Sequence, residues 1–471
     1  MTVTDETISL DGNQMSGKGA VPFDPSDRFA SLMNDDTLFS ATSANFLGTE
    51  MVFQKHGPIP GQNAIKTEMK RSLLNEPNMV SVNLVEASKD SDNGEDDQVF
   101  LFFTEKAVEE RHADLLVSRV ARVCKSDLGG KKIQKKWSSF FKARLDCPFG
   151  DPCSLALMQD VFLLKNQTNW KDSIFHATFT SNPQHSGASS HSEVCAYGLS
   201  DVNAVFAGRF LTDTDTRGWV RYTGALPSPR PGSCINDETR ATGITSTRDR
   251  PHQYLMFVRN HPLMEGVVTP IGGKPLLVQS SRKFSKIVVD QVTSPNGEQH
   301  QMLLIGTESG WLQKAVKLDG EEGRIVEELQ LFEDPLQLST TGQLYGGTSK
   351  AVVQVDVRDC SRYTSCDDCI LARDPYYGWD LMEGKCASAA GTSSWFQSLT
   401  DGDTSICPAP DVTKEPEAVL TTDRAQFLPC HPDTNLPTSW RFADDILHPG
   451  PRLTPVSQGL IITPSSSDAG L

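Results

Sequence analysis

Four short stretches of this chain share one pattern, an apolar pair, a small residue and a threonine: Leu38 to Thr42 (LFSAT), Ile174 to Thr178 (IFHAT), Leu304 to Thr307 (LIGT) and Leu344 to Thr348 (LYGGT). The last two copies continue alike through Gly310 to Val316 (GWLQKAV) and Lys350 to Val355 (KAVVQV), and their threonines lie 41 residues apart. That period fits one four-stranded blade of a β-propeller, a unit that buries its faces only against its neighbours and so must recur. On this evidence alone a two-sheet sandwich is the alternative. Strand-like runs bounded by Gly, Pro, Asn and Asp support either all-β architecture: Gln98 to Glu105, Asp160 to Lys165, Lys286 to Val292, Met302 to Thr307 and Ala351 to Val357. Two segments read as short helices, Asp114 to Cys124 and Lys135 to Leu145. In the second, Trp137, Phe140 and Phe141 fall at i, i+3 and i+4.

A chain of 471 residues can bury a large core and hold two or three domains, and a hydrophobic fraction of 38% suits a folded protein. The formal net charge of −16, with no even basic stripe and only local basic runs such as Lys131-Lys132 and Lys135-Lys136, argues against a nucleic-acid partner. Eleven cysteines are unevenly placed: six lie between Cys360 and Cys430, and none precedes Cys124. Such clustering reads as a small disulfide-stapled domain after a larger one, in an oxidising compartment. The sequon Asn166-Gln167-Thr168 agrees. Met1 to Met15 has no apolar stretch of signal-peptide type, and no run approaches the ~18 apolar residues of a membrane span.

An ordered series of motifs carries a family resemblance. Asn45 to Thr49 reads NFLGT, Leu74 to Pro77 LNEP and Arg119 to Gly130 RVARVCKSDLGG. WSSF at Trp137 to Phe140 and KARL at Lys142 to Leu145 follow. Glu193 to Tyr197 reads EVCAY, Trp219 to Tyr222 WVRY, Pro229 to Cys234 PRPGSC and Asn260 to Met264 NHPLM. Together they resemble the semaphorins, class 4 most, with class 7 the alternative. Residues 360–407, around CSRYTSCDDCILARDPYYGWD, resemble the PSI module. Cys430, Trp440 and SSSDAG resemble the front of an immunoglobulin domain.

The resemblance implies an all-β fold: an incomplete seven-bladed β-propeller (sema domain) over residues 1–358, a small disulfide-rich PSI domain over 359–408, and a linker with a truncated immunoglobulin-like segment over 409–471. It implies a chain that begins inside the propeller, without the first blade and most of the second. It also implies the disulfides Cys124–Cys234, Cys147–Cys195, Cys366–Cys407 and Cys369–Cys386. Tyr377 stands where the family tends to have a cysteine, which leaves Cys360 without its usual partner. Cys153 looks like an addition, and Cys430 has no partner within the chain. Val21 also stands at a position where the family tends to have cysteine. Zinc at Cys366 and Cys369 is disfavoured, since Cys386 and Cys407 form no second close pair and have no histidine between them.

Catalytic patterns are not found in the sequence: no G-x-S-x-G elbow, H-E-x-x-H or phosphate-binding glycine loop occurs. The acidic run Ser91 to Asp97 lacks the ligand spacing of a calcium loop and reads as a solvated hairpin. No cofactor or metal is expected. The resemblance implies an extracellular or cell-surface ligand that binds a plexin receptor as a homodimer and acts in guidance and cell migration, with membrane association only in a longer form. It places the receptor contact on Asn78, Met79, Arg259, His261 and Leu263, the dimer contact on Phe46 and a glycan on Asn166. Arg259 stands where lysine is usual and Asn78 where an aromatic or histidine is common. Core packing is the competing reading for Phe46, His261, Leu263 and Met264.

Overall fold

The computed structural model describes residues 17–57, 64–89, 91–110, 114–131, 135–148, 156–182, 191–214, 218–280, 282–294, 297–318, 323–340, 343–388, 395–408, 419–429, 440–442, 445–456 and 459–466, with two short strands at 2–3 and 8–9. Cys153 and Cys430 lie outside the described residues. The chain divides into two compact units, residues 1–287 and 288–471.

In the first unit, three sheets follow one another along the chain. The first runs Ala30–Asn34, Thr37–Ser43, Met51–His56, Ile65–Lys66, each antiparallel to the last. The second runs Asn78–Val85, Gln98–Lys106, Leu116–Cys124, Phe141–Leu145, and Leu263–Val268 adds in parallel at its outer edge. The third runs Leu157–Leu164, Ile174–Thr180, Ser192–Gly198 and Leu277–Gln279. Between the last two strands of this sheet the chain inserts α1 (Leu199–Phe206), a hairpin of Leu211–Thr214 and Gly218–Arg221, α2 (Asp237–Ala241) and α3 (His252–Asn260).

The middle sheet explains why its strands read as unbroken apolar runs. Gln98–Lys106 is buried at every position but the last. Val99, Leu101 and Phe103 share a core with Phe39, Ala41 and Phe53 of the first sheet. Phe100 and Phe102 share another with Phe175, Ala177 and Phe179 of the third. Both faces are therefore covered, so the alternation of a half-exposed strand is lost. Each copy of the sequence repeat marks the second strand of a sheet, and Thr42, Thr178 and Thr307 are buried there.

Neither helical expectation holds. Leu116–Cys124 is a central strand and Phe141–Leu145 its neighbour. Val117, Val120 and Val123 fall at threefold spacing, which mimics a helix face, but their β-branched side chains go to opposite faces of a sheet buried on both sides. Trp137 and Phe140 enter one core and Phe141 the other, so the three aromatics share no face. Arg119 is buried because Glu105 on the adjacent strand and Glu109 meet its guanidinium at 2.9 and 2.6 Å; Lys142 reaches Glu105 at 2.5 Å. A buried set of two cations and two carboxylates is tolerable only when paired in this way.

The motif CKSDLGG…WSSF is a structural knot. The buried Asp127 carboxylate accepts from the backbone N–H of Gly129 (2.7 Å) and Ser138 (2.9 Å) and from the hydroxyls of Ser138 (2.8 Å) and Ser139 (2.6 Å). The Trp137 ring N–H donates to the Phe53 carbonyl, and the ring stacks on Phe53. The acidic run forms a loop as expected, though its end is not wholly solvated. Asp97 turns inward to accept from Ser88 and to pair with Lys125 at 3.1 Å.

Phe284–Thr293 leads into the second unit, where it pairs in order with Gln299–Thr307, Trp311–Lys317 and Arg324–Gln330. A three-stranded sheet of Gln337–Thr340, Leu344–Gly347 and Val352–Val355 follows. Next come α4 (Cys366–Leu371) and a small sheet of Tyr377–Asp380, Lys385–Ser388 and Trp395–Phe396. Lys314, fully buried, donates to Asp374 (2.5 Å), to Glu327 (2.8 Å) and to the Val357 carbonyl, beneath the rings of Tyr376 and Tyr377; Arg362 pairs with Glu327. Among the last described residues, Gln426–Pro429, Gly459–Ile462 and Leu453–Val456 form a sheet.

Candidate functional site

The segment after the first sheet and the end of α3 come together. Lys66 is bridged to Lys136, with the Lys66 amide donating to the Lys135 carbonyl, so the chain at Thr67 to Leu74 is carried toward the helix. Glu68 receives Arg259 as a two-pronged pair, Nε to Oε2 at 2.7 Å and Nη2 to Oε1 at 2.5 Å. Lys70 donates to the Arg259 carbonyl at 3.1 Å and to Asn260 Oδ1 at 3.4 Å. The bond from Arg259 holds the Glu68 carboxyl below the usual carboxylate range. Burial lowers Lys70 and His261 from their ordinary values. His261 follows the last helical residue, donates its amide to the Phe257 carbonyl, and stacks on Phe257 at 4.3 Å with Tyr222 edge-on at 4.7 Å.

Leu73, Glu68 and Arg259 line one shallow cavity with Trp137, Phe140 and Val258. Asn78, partly exposed, opens the next strand and is not among these lining residues. Met79 and Leu263 are each 1% exposed. They are core residues, and any part they have in recognition is to hold the backbone. Glu68 and Lys70 were missed in the sequence, where nothing in the local pattern links them to a helix some 190 residues on.

Phe46 is 82% exposed and Leu47 77%. They sit at the tip of a turn pinned by Asn45, whose Oδ1 accepts from the amides of Thr49 (3.0 Å) and Glu50 (2.9 Å) and whose Nδ2 donates to the Thr49 hydroxyl. Gly48 supplies the positive φ of 69° that closes the turn. Phe23 meets Phe46 edge-on at 6.4 Å. Phe46 and Leu47 therefore lie outside the core, and core packing does not account for Phe46. Asn166 is exposed at the end of Leu157–Leu164.

Disulfides join Cys124 to Cys234, Cys147 to Cys195, Cys366 to Cys407 and Cys369 to Cys386. Cys360 is free and buried, and burial raises its thiol above the ordinary range. Tyr377 is wholly buried and stacks at a tilt on Tyr363.

Comparison with known proteins agrees with this architecture. The Sema domain family model matches residues 158–341, and the Plexin repeat model matches 359–408. Human Semaphorin-4D is 37% identical over 93% of this chain and 52% of its own length; mouse Semaphorin-4C is 38% identical over 94% and 54%. The chain thus spans about half the length of the curated relatives it matches. Among solved structures, Drosophila Semaphorin 1b, extracellular domains 1-2, superposes with a TM-score of 0.71 at 26% identity, covering 84% of this chain and 78% of that one. The structure of Drosophila Plexin A in complex with Semaphorin 1b matches with a TM-score of 0.70 at 27% identity over the same shares. With its sema and PSI domains and its class 4 relatives, the chain belongs to the semaphorin family.

Proposed function

We propose that this chain is an extracellular ligand that docks on a plexin ectodomain through the surface at the end of α3, and that two copies join through the Asn45–Thr49 turn. The observation that supports the reading is a surface ordered in advance: Arg259, Glu68 and Lys70 hold one another, and His261 is seated against two rings. The likeness to Semaphorin 1b, a partner of Plexin A in a solved complex, supports it. Groups fixed before binding lose little freedom on association. In this reading Arg259, His261 and Asn78 face the receptor, while Met79 and Leu263 support them from beneath.

Phe46, with Phe23 and Leu47 beside it, acts as the aromatic anchor of a two-fold contact. A dimer then holds two receptors together, and their proximity makes the signal for guidance and migration. The chain performs no chemistry. Surface plasmon resonance against plexin ectodomains tests this. Arg259→Glu sets two carboxylates side by side with Glu68 and is expected to weaken binding at least about tenfold, the cost of one like-charge contact. Unchanged binding removes Arg259 from the contact, and no binding of the unaltered chain to any plexin ends the reading. Sedimentation velocity at micromolar concentration tests the dimer: Phe46→Glu is expected to give a monomer, and an unaltered chain already monomeric there refutes the two-fold contact.

A further inference from the structure

Asn166-Gln167-Thr168 is the one Asn-x-Ser/Thr sequon in the 471 residues, and the fold prepares it in two ways. The Asn166 side chain is exposed, and its Oδ1 accepts from the amides of Thr168 (2.8 Å) and Asn169 (2.9 Å). Its Nδ2 has no acceptor among the described residues. Beside it opens a surface cavity of about 180 Å³, lined by the apolar Val85, Leu163 and Trp170 and by the charged Glu86, Lys89 and Lys165, with the Lys171 ammonium 5.7 Å from the centre of the Trp170 ring. Lys165 and Glu86, both of the lining, pair at 2.8 Å.

We infer that Asn166 carries an N-linked glycan whose first sugar ring seats in this cavity against the Trp170 indole. An aromatic platform with a few charged groups at its rim is the chemistry that receives a sugar, whose ring has an apolar C–H face and hydroxyls at its edge. Val85 closes the first strand of the second sheet and Leu163 lies in the first strand of the third. A ring seated between them buttresses two adjacent sheets.

The covalent step is supplied by the secretory pathway. The Asn166 Nδ2 attacks the anomeric carbon of a polyprenyl-pyrophosphate oligosaccharide. The C–N bond forms as the C–O bond to phosphate breaks, the pyrophosphate leaves with the electron pair, and the amide proton passes to the transferase. The inference rests on the extracellular reading but not on receptor binding, and its test involves no plexin.

The full chain is secreted from mammalian cells behind a cleavable leader. Treatment with a peptide N-glycosidase, which cleaves the sugar–asparagine bond and leaves no sugar behind, is expected to shift its mobility by one glycan, and Asn166→Gln is expected to run at the shifted position before treatment. An unshifted wild-type chain overturns the site. Removing the glycan is expected to lower the melting midpoint by about 2 °C, as loss of a modest contact would in a unit of this size, and Trp170→Ala is expected to abolish that difference. A difference that survives in Trp170→Ala overturns the seat. Should that variant fail to fold, the acetamide methyl of a ¹³C-labelled glycan decides: a ring-current shift supports the seat, and a resonance at the free-glycan position overturns it.

Discussion

Replacing Asp127 by alanine tests whether the most family-like segment of the chain is structural. The carboxylate is fully buried and accepts four hydrogen bonds. The Ser138 and Ser139 hydroxyls can turn to other acceptors, but the amides of Gly129 and Ser138 cannot. Each buried donor left unpaired costs about 1–3 kcal/mol, so two strand roughly 3–5 kcal/mol in Asp127→Ala once the weakened hydroxyl bonds are added. For a unit of this size that corresponds to a melting midpoint lower by about 10 °C. Asp127→Asn keeps one oxygen acceptor and turns an amide toward donors, so it is expected to fall between. Urea denaturation and calorimetry of the three proteins give the values. A loss below about 1 kcal/mol in Asp127→Ala would mean that the segment 127–139 is held by its aromatic packing alone, and the argument from buried donors would be refuted.

Other expectations follow from the same structure. The Cys124–Cys234 bridge closes a span of 110 residues; the double alanine variant is expected to lose about 4–5 kcal/mol in the chain-entropy model, read as a lower urea midpoint. Glu193 is buried beside His191 at 2.8 Å, and burial raises its carboxyl to about 7 against the opposing pull of His191. The folded state then holds this proton more tightly than the unfolded chain, so between pH 5 and 8 stability from this group falls as pH rises. Glu193→Gln is expected to flatten that slope in melts across the range, and an unchanged slope assigns it to another group. Lys314→Met leaves Asp374 without its cation and is expected to cost about 3–5 kcal/mol, with Asp374→Asn recovering part of the loss in the double variant; equal midpoints for the two variants would show the pair to be independent.

What the residues reveal before folding depends on the range of the interaction. The repeat was legible because the second strands that carry it meet similar surroundings, with Thr42, Thr178 and Thr307 among buried neighbours. The strand Leu116–Cys124 was misread because its two faces are both covered, so that Val117, Val120 and Val123 carry no period of two. The inserted helices were legible and overlooked: Leu199, Val202 and Phe206 repeat as one helical face, as do Tyr254, Leu255 and Val258. At the candidate surface, Arg259 was named by resemblance, and Glu68 is its partner only through the tertiary fold. Met79 and Leu263 were named with it because sequence neighbours of a contact are hard to tell from the residues that prop it up.

The Lys314 cluster carries a consequence for anyone who would cut this chain. The matched PSI segment begins at residue 359, yet Asp374 and Arg362 inside it complete the charge of Lys314 and Glu327 on the preceding sheet. A protein ended before residue 359 would leave a buried ammonium facing a single carboxylate, and a free PSI fragment would leave Asp374 bare in an apolar setting. The boundary at residue 359 is thus welded in energy, and the two pieces are expected to unfold in one step.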